Sequence, residues 1–100
     1  MSESSSEPAV LDIISGLGNV TRALIIRSLS GMATPRSADE IAETLNVSRD
    51  NAQEHIAVLA KLGVLTLTPA AGPTARPRYL VDTETLSRRL EQTRTYLLNQ

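Results

Sequence analysis

Residues 37–68 constrain what this chain can fold into more than any other stretch. Ser37-Ala-Asp-Glu40 is a capping box: the Ser37 side chain caps a helix, and the Glu40 side chain reaches back to the cap. Ile41, Ala42 and Leu45 follow as the inward residues of a short helix. Asn46-Val47 makes a tight turn, and Ser48 caps a second helix at once. Ala52, Ile56 and Leu59 form the apolar stripe of that helix, and Lys61 and Gly63 carry the chemistry of its C-terminus. Val64-Leu-Thr-Leu-Thr68 then alternates as a strand does.

The flanking segments add helices before this unit and a strand and a helix after it. MSESSSE, residues 1–7, is polar and acidic, without the basic start or apolar core of a signal peptide, and is expected to be a disordered tail. Pro8 suits a first helical turn, and Val10, Leu11, Ile14 and Leu17 recur at helical spacing up to Gly16 and Gly18. Asn19 caps a second helix through Val20, Leu24, Ile25 and Leu29, ending at Gly31 before the loop GMATPR. PAAGPTA, residues 69–75, cannot form a regular element. Residues 76–81 read as the return strand, with Pro77 where no ladder donor is needed. Asp82 or Thr83 caps a last helix with Leu86, Leu90 and Leu97 on one face and Thr93 between them.

Two capped helices across the turn Asn46-Val47-Ser48, with a strand pair behind them, make a winged helix-turn-helix pattern. The expected class is mainly α with a β-hairpin wing, in the order α-α-α-α-β-β-α, as one domain over residues 8–98. The segments LGNVTRALIIRSL, SADEIAETLNVSRDNAQEHIAVLAKLGVL and RPRYLV resemble the ArsR-type bacterial repressors, and the resemblance runs over about residues 10–98. It implies a small dimeric transcription regulator that binds double-stranded DNA. Many such proteins sense metals through cysteines or through His and acid pairs. This chain has no Cys and the single His55, whereas a transition-metal site needs three or four such ligands, so no metal and no cofactor are expected.

Composition narrows the function classes further. One His, no Cys, no glycine-rich phosphate loop and no paired carboxylates leave no catalytic constellation, and an enzyme is rejected. No apolar run approaches the ~20 residues of a membrane span, and a cytoplasmic location is expected. The core must be aliphatic, since there is no Phe or Trp and only two Tyr. Net charge is −1, from 10 basic and 11 acidic residues, so any nucleic-acid affinity depends on where the charges lie.

On the helix that begins at Arg49, the side opposite the apolar stripe carries Asp50, Glu54, Ala57 and Lys61, and Arg49, Asn51 and Gln53 flank its N-terminal end. Such a helix offers that end to the major groove. The candidate DNA contacts are Arg36, Ser48, Arg49, Asn51, Gln53, Glu54, His55, Arg76 and Arg78, the last two flanking the wing. His55 fits equally a partly buried, hydrogen-bonded histidine. Arg22 matches a position that the resemblance gives as basic. The two acids need explaining. Asp50 lies where an acid stabilises the helix dipole, by about 0.3–1 kcal/mol. Glu54 can pair with Lys61, accept from a cytosine N4, or mark a helix that does not read DNA. An acid on a reading face lowers generic phosphate attraction and sharpens selectivity. The alternative function is a winged-helix interaction module that docks a protein on this acidic face.

Val10, Leu11 and Ile14 of the first helix and Leu86, Leu90 and Leu97 of the last carry more apolar surface than a small monomer hides. They are expected at a homodimer interface by the heptad-like spacing of Leu86, Leu90, Thr93 and Leu97 and by the resemblance, the alternative being that both stripes close the monomer core. Arg88 and Arg89 fit a solvated face or the dimer rim. No residue points to a small-molecule effector.

Overall fold

A computed structural model of the chain describes residues 2–31, 34–68 and 76–98, with backbone alone for residues 2–7. The expected loop over residues 69–75 lies outside the described residues. The elements are α1 (Ser2–Leu17), α2 (Val20–Ser30), β1 (Arg36–Ser37), α3 (Ala38–Leu45), α4 (Arg49–Lys61), β2 (Leu65–Thr68), β3 (Arg78–Val81) and α5 (Thr83–Leu98).

The caps read from the sequence are in place. Asn19 Oδ1 accepts from the Arg22 N–H at 3.1 Å and starts α2. Ser37 Oγ accepts from the Glu40 N–H at 3.3 Å while Glu40 Oε1 accepts from the Ser37 N–H at 2.9 Å, which completes the capping box. Ser48 Oγ accepts from the Asn51 N–H at 3.1 Å. Asp82, not Thr83, caps α5, accepting from the Thr85 N–H at 3.0 Å and the Thr85 hydroxyl at 2.9 Å.

Two helix ends close in the same way. After α3, the Val47 N–H bonds Ala42 O and the Asn46 N–H bonds Glu43 O. After α4, the Val64 N–H bonds Leu59 O and the Gly63 N–H bonds Ala60 O. This is the Schellman arrangement, which needs a left-handed residue at the pivot. Asn46 holds φ 57° and Gly63 φ 83°. Asn and Gly are the residues that reach this region at least cost.

The core gathers one aliphatic face from each of α1 to α4, with Leu86 of α5 packed half-buried against it. Ile13, Ile25, Ile41, Ile56, Leu59 and Val64 are its largest fully buried side chains, joined by Leu29, Ala52, Leu65 and Tyr79. α1 and α2 are bent by 84° at Gly18-Asn19 and wrap this core. No single described helix is long and apolar enough to cross a membrane.

Four expectations change. Helical backbone begins at Ser2, where a disordered tail was expected, so Pro8 lies inside α1 and not at its start. The Ser and Glu residues before it tolerate a helix, and the proline forgoes one backbone donor there. The loop before α3 contains a third strand. β1 pairs antiparallel with β3, Arg36 opposite Tyr79 and Ser37 opposite Arg78, and the sheet order is β1-β3-β2. A two-residue strand has no periodicity to reveal it. Third, α1 packs along α5 within the chain, so Val10 is 3% exposed and Leu86 is half-buried against the core. These two of the six expected interface residues are taken up by the protomer itself. Fourth, Arg89 is half-buried, and its Nη2 donates to Leu62 O at 3.1 Å, a cation on the end of α4 where the solvated rim was expected.

Two predictions follow from the junctions. Asn46→Val should destabilise the protein by about 1–2 kcal/mol, since a β-branched residue is strained at positive φ, whereas Asn46→Gly should be near neutral; chemical denaturation reads both. The Thr85 backbone N–H, then its hydroxyl, hold the Asp82 carboxyl below the usual carboxylate range. A depressed folded pKa gives stability that is present above the unfolded value and lost as pH falls through the folded one. Asp82→Asn keeps an acceptor and removes the titration, so its melting temperature should fall less steeply than wild type on the acid side, measured by circular dichroism.

Candidate nucleic-acid interface

α4 turns Ala52, Ile56 and Leu59 wholly inward, at 1% exposure or less. Its other side is therefore fixed toward solvent. Ser48, Arg49, Asp50, Asn51, Gln53 and Glu54 are all exposed there. Together they present amide, hydroxyl, guanidinium and carboxylate groups within the first two turns, a set able to bond both donors and acceptors on base edges. Ser48 serves the fold first, as the cap. His55 is half-buried, and its Nδ1 is buried without a hydrogen-bond partner among the described residues. Glu54 makes no ion pair with Lys61 among the described residues. Asp50 sits in the first turn, as the dipole argument requires.

The wing reaches this face from the side. Arg78 starts β3, and the β1–β3 register sets it opposite Ser37, beside the start of α3. Its Nη1 donates to Glu40 Oε1 at 2.8 Å and to Pro35 O at 3.3 Å. Arg76, two residues earlier, extends its Nε to Asp39 Oδ2 at 3.5 Å. Arg49, at the first position of α4, places its Nε 2.9 Å from Asp39 Oδ1. A shallow hollow lies among Ala38, Asp39, Arg49, Gln53, Arg76, Pro77 and Tyr79. Arg36 is half-buried in β1 opposite Tyr79, on the other face of the sheet from Arg78.

Three of the expected phosphate contacts are thus already paired with acids of α3. All three pairs are about half-exposed, and exposed pairs contribute only about 0.2–1 kcal/mol each. Glu40 is the more firmly held of the two acids. The Ser37 backbone N–H, against the opposing effect of desolvation and with help from the Arg78 charge, the Ser37 hydroxyl and the Arg36 charge, keeps its carboxyl below the usual range.

The sequence points to Arg49, Arg76 and Arg78 but not to Asp39 as the partner of the first two. Glu40 was read only as a cap. The β1–β3 register is the one signal that ties Arg78 to the capping box, and a strand of two residues hides it. Nothing in spacing links Asp39 to Arg49 or Arg76. Among the described residues, no three His, Cys, Asp or Glu side chains come together as metal ligands.

Of the expected dimer residues, Leu11, Ile14, Leu90 and Leu97 are 50%, 39%, 47% and 64% exposed, and Tyr96 and Leu98 join them on the surface. They lie on the two helices that pack together, α1 and α5, away from α4.

Comparison with known proteins agrees with this geometry. A family described as a helix-turn-helix domain matches residues 6–68. No curated protein matches the chain. Among solved structures, it is similar to an ArsR-like transcriptional regulator from Rhodococcus sp. RHA1, at 19% identity and a TM-score of 0.77, covering 95% of this chain and 85% of that one. It is similar to reduced HlyU from Vibrio cholerae, at 19% identity and a TM-score of 0.68, covering 95% and 96%. It is also similar to a protein of the thermoacidophilic archaeon Sulfolobus tokodaii, at 16% identity and a TM-score of 0.65, covering 88% and 90%. The family match spans the two capped helices and the first wing strand, and the likeness in fold to an ArsR-like winged helix extends to α5: the chain belongs to this helix-turn-helix family.

Proposed function

We propose that the chain is a DNA-binding transcription regulator, a repressor that acts as a homodimer on an inverted-repeat operator. The observation that carries this reading is the outward face of α4. Asn51, Gln53 and Glu54 stand free in its first two turns, with Arg49 at its start and the Arg76 and Arg78 guanidiniums alongside. Base readout comes from the first three and phosphate contact from the arginines. Similarity to a transcriptional regulator from Rhodococcus supports the same role here. Arg36 and His55 complete the contact set.

The dimer assignment rests on exposed leucines. A small monomer scatters its surface apolar residues, whereas Leu11, Ile14, Leu90, Leu97 and Leu98 share two adjoining helices. Pairing them across a two-fold axis sets two α4 helices about one DNA turn, ~34 Å, apart. Leu90→Glu with Leu97→Glu should yield a monomer by analytical ultracentrifugation, with the helical circular dichroism signal retained.

The competing use of this surface is protein docking, favoured by its charge. Arg36, Arg49, Arg76 and Arg78 are matched in number by Asp39, Glu40, Asp50 and Glu54. Fluorescence anisotropy with the DNA upstream of its own gene separates the two readings. Binding should saturate, weaken with salt, and fall about tenfold for Arg49→Ala, whose loss of one phosphate contact lowers the salt slope by about 0.9. No binding at low salt, to this DNA or to a random pool, would refute the regulator reading.

A further inference from the structure

Asp39 and Glu40 stand side by side at the start of α3, yet their carboxylates do different things. Glu40 Oε1 accepts the Ser37 N–H as well as Arg78, so the fold needs it. Both oxygens of Asp39 go to side chains: Oδ1 to Arg49 Nε and Oδ2 to Arg76 Nε. One carboxylate therefore links the first residue of α4 to the segment that leads into β3 of the wing. The Asp39 side chain is 45% exposed, and its two partners are 51% and 57% exposed. Water and ions reach this triad freely, so the pairs are exchangeable.

We infer that Asp39 restrains the generic DNA affinity of this face: it occupies the Arg49 and Arg76 guanidiniums as an internal stand-in for phosphate, and DNA must displace it. The inference rests on the regulator reading above. Any duplex offers phosphates, and a phosphate that replaces the Asp39 carboxylate exchanges one anion for another. The generic attraction is reduced by that exchange on every sequence. Only a sequence that also bonds Asn51, Gln53 and Glu54 adds base contacts, which Asp39 does not oppose. The acid thus lowers binding on every sequence and leaves the base contacts untouched, and its loss gives any duplex two unopposed cations.

Asp39→Asn tests it, since the amide keeps the shape and the acceptor oxygen and removes the charge. The probes are a random-sequence 30-base-pair duplex and a duplex selected by the wild-type protein from a random pool. Both are titrated at several salt concentrations. The variant should bind the random duplex about tenfold more tightly at low salt. Its plot of log affinity against log salt should steepen by about 0.9 for each phosphate newly neutralised, up to two. Affinity for the selected duplex should rise by a similar factor, since the base contacts of Asn51, Gln53 and Glu54 do not involve Asp39. Adding Arg49→Ala and Arg76→Ala to Asp39→Asn should abolish the gain. Selected-duplex binding by wild type with an unchanged or weaker random-duplex affinity in the variant would overturn the inference and leave the regulator reading standing. Binding of neither duplex by either protein would overturn both. A tightening that survives removal of both arginines would also overturn it, because the cations would then not be the ones released.

Discussion

The rotation of α4 about its own axis decides what this protein can present to a partner. Ala52, Ile56 and Leu59 have almost no exposed surface, and a helix with three such anchors over two turns cannot roll without pulling an aliphatic side chain into water. Each of the larger two buries surface whose loss costs several kcal/mol when truncated to alanine, about 2–5. Against that, the exposed ion pairs of the same helix are weak. Hydrophobic burial therefore sets the direction of the polar residues, and electrostatics acts only within the arrangement it is given. The hinge residues follow from the same demand. Asn46 and Gly63 adopt positive φ because the chain must leave α3 and α4 abruptly to keep both helices on the core.

Most of this was legible because its determinants are local. Capping serines, the asparagine and glycine after the helices, and the spacing of Ile and Leu all act over a few residues, and each appears in the sequence as a pattern. The features that escaped depend on distant partners. β1 is too short to alternate, and it exists only because β3 offers it an edge. Val10 and Leu86 look like surplus apolar residues until α1 is seen lying along α5. Arg89 looks like a surface charge until its guanidinium meets the Leu62 carbonyl. The interface was half legible for the same reason. Its residue types could be named from α4 alone, but the Asp39 pairings join positions far apart in the chain.

The acids on the reading face belong to two populations. Asp50 serves its helix through the dipole, and Glu40 serves α3 through the capping box, so each has a structural reason to be there. Asp39 and Glu54 have none of that kind. Asp39 holds cations, and Glu54 stands open on the outward face with no basic partner among the described residues. A surface with as many acids as arginines need not repel DNA. It does lose the indiscriminate pull that a basic stripe would exert, and recognition then depends on matched contacts.

The order of the small sheet has a consequence for how this chain behaves at high concentration. β3 lies in the middle, both of its edges are used, and it begins only after Pro77, which has no donor to offer. The outer strands are β1, with two residues, and β2, with four. Open strand edges are templates for runaway pairing, and short ones template poorly. A protein that leaves several leucines bare on its helices has thus kept its backbone edges almost closed. Among the described residues, its exposed large apolar side chains lie on α1, α2 and α5, with Leu67 alone on a strand, so adhesion between copies is a matter of helix side chains and not of strand pairing.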